Sequence, residues 1–322
     1  MRSRPRFENE SPLRHSGFLD IVRWMAHREP GPWRKWTDVP PAPNPPLRLG
    51  AGEMRVTFVN HATTLVQMDG VNVLTDPIWS ERCSPVSFAG PRRAVPPGLR
   101  LDQLPPIDVV VISHNHYDHL DLPTLREVAA AHRPRILVPR GNRSLLDRSR
   151  IRNVEELDWW QSVEIRGGVR IAAVPAQHFS GRGLFDRDRA LWAGWVATGA
   201  AGSAYFAGDT GFGPHFREIR DRFGSPRLAL LPIGAYRPEW FMSRVHMSPE
   251  EALRAHEILG AGTSVGIHFG TFRLADDGQD EPAARIEALT RESSPAAPRF
   301  WVLGFGEGRD VPRVAGAVAA AG

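Results

Sequence analysis

The stretch SHNHYDHLD, residues 113–121, follows the apolar segment IDVVVI at 107–112, which is typical of a buried strand. It places four potential metal ligands within six residues: His114, His116, Asp118 and His119. Imidazole and carboxylate groups are the ligands that zinc binds where thiolates are missing. The alternative is a solvated histidine-rich loop, but four ionisable groups at the end of a buried strand would be costly to desolvate without a metal. We therefore predict a metal site here.

Three more potential ligands follow apolar strands elsewhere in the chain. A centre of two metal ions needs more than four ligands, and the candidates are His178 after VRIAAVPAQ, Asp209 in SAYFAGDTG and His268 in SVGIHFG. Each one alone is more typical of a turn or core residue. Together with the first cluster, they predict one shared centre where the strand ends meet. Cys83 is the one cysteine of the sequence, so a thiolate zinc cluster and an intrachain disulfide are both excluded.

Composition is that of an ordinary globular protein of 322 residues, with 42% hydrophobic residues, 24% charged residues and a net charge of +4. The sequence has no run of about 18 apolar residues that could span a bilayer. Its first 15 residues lack the apolar core of a secretory signal. We therefore expect a cytoplasmic location, with peripheral contact to the inner face of the membrane as the open alternative.

The chain divides into four segments. Residues 1–15 are predicted to be a disordered polar arm, 16–50 an N-terminal helix and proline-rich strap, 51–310 the catalytic domain, and 311–322 a C-terminal tail. The helix is expected within residues 16–28, where apolar side chains recur at helical spacing. It either packs on the main domain or touches lipid with its apolar side.

The order of strands and helices after residue 54 favours an α/β fold. Antiparallel strands come first, and strands alternating with helices follow, in two similar halves. This order predicts two sheets packed face to face with helices outside. The clearest helix is SPEEALRAHEILG at 248–260, where Ser248 and Glu251 form a capping box and Gly260 ends the helix.

The ligand pattern resembles the metallo-β-lactamase superfamily: H-x-H-x-D-H is followed by a single His, an Asp within G-D-T-G and a last His. The resemblance implies an αββα four-layer sandwich that holds two Zn²⁺ per chain. It assigns three ligands to each zinc and one to both: His114, His116 and His178 to the first, Asp118, His119 and His268 to the second, and Asp209 to both.

Longer stretches are similar to one branch of that superfamily, the N-acylphosphatidylethanolamine-hydrolysing phospholipase D family. They run in order from about residue 55 to 275 and include LTDPIWSERCSP, ELDWW, LPIGAYRPEWFM and HMSPEEALRAH. The resemblance implies a binuclear zinc phosphodiesterase that converts N-acylphosphatidylethanolamine to N-acylethanolamine and phosphatidic acid. The sequence departs from the animal enzymes at QHFSGRGLF, residues 177–185, which leaves the acyl-chain preference open.

The same resemblance places His246, on the loop before the capped helix, beside the substrate phosphate. We predict His246 and the metal ligand Asp118 as catalytic, because a departing alkoxide needs a proton or strong electrostatic help. Tyr117 is predicted to join His246 in binding the phosphate, with a purely structural tyrosine as the alternative. Asp76 is predicted to orient a ligand histidine, unless it is a simple turn residue. His61 is read as a turn residue, with a place behind a ligand as its alternative.

A phospholipid is the expected partner, and Trp240-Phe241-Met242 either lines a lipid groove or packs in the core, as most tryptophans do. No basic arm or lysine-rich insert is evident, so a nucleic acid is not expected. A homodimer is left open. The competing functions are another hydrolase of the same fold, such as a sugar-phosphate lactonase or a different phosphodiesterase, and an interaction protein without metal. The complete set of ligand types argues against the latter.

Overall fold

The computed structural model describes residues 6–10, 17–183, 185–292 and 299–313. In chain order its strands are β1 (Met54–Asn60), β2 (Thr63–Met68), β3 (Val71–Thr75), β4 (Val109–Val111), β5 (Arg135–Pro139), β6 (Val154–Leu157), β7 (Ser162–Glu164), β8 (Arg170–Val174), β9 (Gly194–Gly199), β10 (Gly202–Phe206), β11 (Leu228–Pro232), β12 (Thr263–Ile267), β13 (Phe300–Trp301) and β14 (Gly308–Asp310). Its α-helices are α1 (Phe18–Ala26), α2 (Leu122–His132), α3 (Arg143–Arg148), α4 (His215–Phe223), α5 (Glu239–Met242), α6 (Pro249–Leu259) and α7 (Glu281–Glu292).

The strands form two seven-stranded sheets of the same design. Their orders are β14–β1–β2–β3–β4–β5–β6 and β13–β12–β11–β10–β9–β8–β7. In each sheet three antiparallel pairings are followed by three parallel ones, from β3 to β6 in the first sheet and from β10 to β13 in the second. Parallel neighbours end at the same edge of a sheet, so the loops that follow β3 and β4, and those that follow β10 and β12, are gathered there.

Alternation along β4 shows how the layers pack. Val109 and Val111 belong to the core that includes residues of both sheets. Val110 instead packs with Leu125 and Val128 of α2 on the outer side of the first sheet. Helices α4 and α6 contribute buried apolar residues to the core of the second sheet. The predicted four-layer αββα sandwich is therefore confirmed.

The capping box of α6 is confirmed. The Oγ atom of Ser248 accepts a hydrogen bond from the backbone N–H of Glu251 (3.2 Å), and a Glu251 carboxylate oxygen accepts one from the N–H of Ser248 (3.0 Å). Gly260 ends the helix with φ +60°, a left-handed conformation that glycine adopts without strain. Helix α6 therefore begins at a fixed point, directly after the loop that carries His246.

The described part of the N-terminal segment contacts the predicted catalytic domain. Helix α1 lies within the predicted range, and the structure describes residues 6–10 of the predicted polar arm. There the side chain of Asn9 accepts a hydrogen bond from the N–H of His178 (3.0 Å) and donates one to its carbonyl oxygen (2.8 Å). The remainder of this arm, 1–5 and 11–15, lies outside the described residues.

The predicted C-terminal tail starts by continuing the first sheet. The N–H of Val311 donates a hydrogen bond to the Met54 carbonyl oxygen (2.8 Å), and residues 314–322 lie outside the described residues. None of the helices in the described part of the chain has the length and apolar character needed to cross a bilayer.

Candidate metal centre

The loop after β4 turns sharply, and the turn divides its four potential ligands between two directions. His114 and His116 come first, on the segment that leads out of the strand. The carbonyl oxygen of His116 then accepts hydrogen bonds from the N–H groups of His119 (3.2 Å) and Leu120 (2.9 Å). Asp118 and His119 lie on the turn that these bonds close, so one short loop contributes to two neighbouring groups of potential ligands.

Strand ends of the second sheet bring the other three ligands to the same place. Asp209 follows β10 by three residues, His268 follows β12 directly and His178 follows β8 by four residues. The turn to Asp209 requires glycine, because Gly208 has φ +61° and a Cβ atom there would lie 2.4 Å from the Cβ of Ser113. Only glycine allows the two sheets to approach this closely at the site.

His114, His116 and His178 form the first ligand group. The Nδ1 atom of His116 lies 2.7 Å from Nε2 of His114 and 3.4 Å from Nε2 of His178. The Nδ1 atom of His178 donates a hydrogen bond to the Val245 carbonyl oxygen (3.0 Å). This bond fixes the tautomer of His178 and leaves its Nε2 atom free to bind a metal.

Asp118, His119 and His268 form the second ligand group, which also includes His61. Oδ2 of Asp118 lies 3.2 Å from Nε2 of His119, 3.4 Å from Nε2 of His268 and 3.0 Å from Nε2 of His61. A single carboxylate oxygen is thus surrounded by three imidazole nitrogens. This is a donor set typical of a zinc site without cysteine.

Asp209 lies between the two groups. Its Oδ2 atom is 3.1 Å from Nε2 of His268 and 3.2 Å from Nε2 of His119, both in the second group. The same oxygen is 3.9 Å from Nε2 of His178, in the first group. The structure therefore brings all seven predicted ligands together, with Asp209 between the two groups.

Buried polar atoms without hydrogen bonds show that the residues fit a metal. Among the described residues, Nε2 of His119, Nε2 of His268 and Oδ1 of Asp209 are buried and have no hydrogen-bond partner, a costly state unless another group binds them. Two ligands of one tetrahedral zinc ion lie about 3.3 Å apart. The separations of 3.1–3.4 Å between these nitrogens and the neighbouring carboxylate oxygens match that spacing.

Electrostatics divide the histidines into two kinds. Burial disfavours a charge on His268, but the carboxylates of Asp209 and Asp118 outweigh it and raise the pKa of His268 to about 9. Burial lowers the pKa of His116 to about 4 and that of His178 well below its ordinary value. The carboxylates of the second group therefore favour positive charge beside them, which a bound cation would also supply, and the first group offers neutral imidazoles with lone pairs for a metal.

Asp76 supports the centre from the end of β3. Its Oδ2 atom accepts hydrogen bonds from Nδ1 of His119 (2.6 Å) and Oγ of Ser113 (2.5 Å), and its Oδ1 atom accepts one from the N–H of Ser113 (2.7 Å). The bond to His119 directs Nε2 of this ring toward the carboxylates of Asp118 and Asp209. A carboxylate in this place orients the ligand and raises its basicity.

His246 lies at the rim of the centre. Its Nδ1 atom is 3.8 Å from Oδ2 of Asp209, and its ring packs against those of His178 and His268 at 5.2 and 5.4 Å between centroids. Burial lowers the pKa of His246 to about 4, so the ring is neutral at pH 7. This position suits contact with a substrate phosphate, and it also suits one more metal ligand.

Tyr117 faces away from the ligands that flank it. It lines a surface groove of about 990 Å³ together with Asn115 and Arg182. Its hydroxyl group donates a hydrogen bond to the Arg182 carbonyl oxygen (2.9 Å). The predicted contact of Tyr117 with a headgroup phosphate therefore competes with a bond inside the protein.

Comparison with known proteins agrees with this geometry. The beta-lactamase superfamily domain matches residues 71–269, the range that contains all seven predicted ligands. An uncharacterized protein of Mycobacterium tuberculosis is 42% identical over 275 residues, which are 84% of this chain and 73% of that protein. The chain belongs to the beta-lactamase superfamily.

Two further similarities of this superfamily member are to a curated protein and to a solved structure. A Caenorhabditis elegans protein named N-acyl-phosphatidylethanolamine-hydrolyzing phospholipase D 1 is 42% identical over 229 residues, which are 68% of this chain and 64% of that protein. The crystal structure of a possible metal-dependent hydrolase from Veillonella parvula has a TM-score of 0.65 and 18% identity, covering 80% of this chain and 99% of that one. The second similarity supports the fold alone.

Two side chains reach the centre of this superfamily member from unexpected places. His61, in the turn between β1 and β2, contacts Asp118 and packs at a tilt against His268 with 4.1 Å between ring centroids. Its positive φ of 48° is a sign that the structure constrains this residue.

Asn9 holds the backbone of His178 from 169 residues away, a contact that local sequence patterns do not reveal.

Proposed function

We propose that this chain is a binuclear zinc phosphodiesterase of the phospholipase D type, and that it converts N-acylphosphatidylethanolamine to N-acylethanolamine and phosphatidic acid. The observation that carries the proposal is the pair of ligand groups joined by Asp209, with His246 at their rim. The name of the Caenorhabditis elegans relative supports this substrate class. The chain spans 64% of that relative's length. The activity named for the whole relative is therefore a proposal for this chain.

The ligand groups would each hold one ion, and Asp209 would contact both. Two bound divalent ions lower the pKa of a water molecule and offset negative charge on phosphoryl oxygens. Hydrolysis joins the oxygen of water to phosphorus and breaks the bond from phosphorus to the ethanolamine oxygen, which takes up a proton. His246, beside Asp209, is placed to donate a hydrogen bond to the phosphate or to the departing oxygen.

An apolar surface beside the centre suits a lipid substrate. Helix α1 exposes 79% of Leu19 and 68% of Met25, and Trp240 is 43% exposed. The helix is anchored through Trp24, which stacks on Phe241 at 5.1 Å and donates a hydrogen bond from Nε1 to Asp276 (2.9 Å). Trp240 and Phe241 lie on α5, directly before the loop of His246. We assign this face of α1, with Trp240, to contact with the lipid surface.

Acidic residues on α1 should weaken binding to lipid. Because Leu19 and Met25 are exposed, the double variant Leu19→Asp, Met25→Asp should fold normally. It should bind vesicles of phosphatidylethanolamine and phosphatidylglycerol at least about 10-fold less tightly, because two apolar side chains that would move from water into the lipid surface are missing. Vesicle sedimentation measures this. Leu47→Asp is the matched control, since Leu47 is 72% exposed and its carbonyl contacts Asn72 at the start of β3, the opposite end of the sheet.

Hydrolysis of a short-chain, water-soluble phosphodiester should be unchanged in the same double variant. Equal losses of vesicle binding and of soluble-substrate hydrolysis would mean that α1 supports the fold and not lipid contact. An effect of similar size in Leu47→Asp would show that negative charge alone explains the loss.

A product assay tests the proposed function as a whole. The purified, zinc-loaded protein would be offered a panel of phospholipids, a lactone and RNA, and the products identified by mass spectrometry. We expect N-acylethanolamine and phosphatidic acid from N-acylphosphatidylethanolamine. Turnover of the lactone without any phospholipid product would replace the proposal with a lactonase, and RNA fragments would indicate a nuclease.

A further inference from the structure

Two ligand-bearing loops meet at Arg182, a residue outside the ligand set. One loop is the turn after β4, residues 113–121. The other runs from His178 to Ala190 and carries Arg182 four residues after His178. The first ligand group is built from both loops, because His114 and His116 lie on one and His178 on the other. The distance between these loops therefore decides whether the three imidazoles can reach one metal.

The side chain of Arg182 binds the backbone of the opposite loop at two points. Its Nη1 atom donates hydrogen bonds to the carbonyl oxygens of Asn115 (2.9 Å) and Leu120 (2.8 Å). Asn115 lies between the ligands His114 and His116, and Leu120 follows the ligand His119. One guanidinium group thus holds the start and the end of the metal-binding turn at a fixed separation.

Tyr117 and Asn115 return contacts to the loop of Arg182. The hydroxyl group of Tyr117 donates a hydrogen bond to the Arg182 carbonyl oxygen (2.9 Å), and the Arg182 guanidinium carbon lies 3.9 Å from the centre of the Tyr117 ring. The side-chain oxygen of Asn115 accepts a hydrogen bond from the N–H of Gly181 (2.8 Å). The contacts run in both directions, and none of them uses a ligand atom.

These contacts explain why a cation stands so close to the metal loop. A positively charged side chain near a site for two cations is unfavourable unless it has another role. The guanidinium group of Arg182 donates hydrogen bonds to backbone carbonyls and packs its flat face on an aromatic ring. Lysine cannot make both contacts. The arrangement is that of a structural clamp and not of a phosphate-binding arginine.

We propose that Arg182 and Tyr117 act together as a clamp that positions His178 against His114 and His116, and so sets the affinity of the first ligand group for its metal. They are positioning residues, because they act through the ligand loops. The inference rests on the metal centre of the proposed function but not on the identity of the substrate. A chain that binds two metals and hydrolyses no lipid would still support it.

Metal retention tests the clamp without any substrate. The zinc-loaded parent, Arg182→Ala, Arg182→Lys and Tyr117→Phe would be dialysed against graded concentrations of a chelator, and the zinc remaining per chain measured by elemental analysis. Arg189→Ala is the matched control, because it removes the same charge from the same loop. Circular dichroism and thermal unfolding after zinc loading establish that each variant is folded.

We expect Arg182→Ala to lose one of its two zinc ions at a chelator concentration where the parent keeps both, with the affinity for that ion lowered about 10–100-fold, the usual effect of removing a group that supports ligands. Arg182→Lys should lose the same ion, since it restores the charge but not the paired bonds. Tyr117→Phe should show a smaller loss, and Arg189→Ala none.

Three results would overturn the proposal. The first is parental zinc retention in folded Arg182→Ala. The second is an equal loss of both ions in Arg182→Ala, and the third is full recovery of retention in Arg182→Lys, which would mean that charge alone matters. Should Arg182→Ala fail to fold, Arg182→Lys and Tyr117→Phe decide between the same outcomes.

Discussion

Replacing Asp209 with asparagine is expected to lower phospholipid hydrolysis by at least about 10³-fold, because several kcal/mol of transition-state stabilisation depend on a complete pair of metal ions. Oδ2 of Asp209 lies within 3.2 Å of two histidine nitrogens in one ligand group and 3.9 Å from His178 in the other. Asparagine has the same shape but no charge, so it should hold the bridging position poorly. Elemental analysis should find less zinc per chain than in the parent.

Asp108→Asn is the matched control for this substitution. Asp108 is also a largely buried carboxylate with charged partners, but it pairs with Arg48 (2.6 Å) just before β4, at the end of the sheet remote from the centre. Its loss should reduce stability and leave zinc content unchanged. If Asp209→Asn kept two zinc ions and parental activity, the assignment of Asp209 as the shared ligand would be wrong.

Replacing His246 with alanine should reduce the rate about 10²–10³-fold, the usual contribution of one positioned hydrogen-bond donor to charge that develops in the transition state, while both zinc ions and the thermal stability are retained. The loss should shrink on a nitrophenyl phosphodiester, because nitrophenolate carries its negative charge as it departs with less help from a hydrogen-bond donor. His132→Ala, on the last turn of α2, is the control for the loss of an imidazole elsewhere. Steady-state rates on both substrates, with elemental analysis, measure the effect.

Any other outcome of this experiment would assign a different role to His246. Loss of zinc from His246→Ala would make it a ligand, in agreement with its distance of 3.8 Å from Asp209. An equal loss of rate on good and poor leaving groups would make it a phosphate-binding residue. Unchanged rates on both substrates would return it to a loop residue without a part in the reaction.

The fold was predictable where apolar periodicity was strong. Strands β1–β5 and β8–β12 coincide with the apolar runs of the sequence, and α6 carries its own start and stop signals. Strands β13 and β14 were not predictable, because they are two and three residues long and form by pairing with distant partners. Arg55 of β1, for example, pairs with Asp310. Local pattern cannot report a pairing across about 250 residues.

The ligands of the candidate centre were predictable because each one follows an apolar strand, and strand ends gather at a sheet edge. Some of the residues around them were not, although Asp76 was predicted to orient a ligand histidine and its Oδ2 atom lies 2.6 Å from Nδ1 of His119. Asn9 and Arg182 act through contacts with loops that are remote in sequence, and each sits in a stretch without any periodic signal. The exposed face of α1 was visible as apolar spacing, but only the structure shows that Trp24 turns inward while Leu19 does not.

Hydrolysis in ¹⁸O-labelled water tests the central claim most directly, since it reports both the product and the atom attacked. Zinc-loaded protein would be incubated with N-acylphosphatidylethanolamine, and both products analysed by mass spectrometry. Attack on phosphorus with departure of the ethanolamine oxygen predicts one ¹⁸O atom in phosphatidic acid and none in N-acylethanolamine. Label in N-acylethanolamine, label in a released fatty acid, or no phosphatidic acid at all would contradict the account.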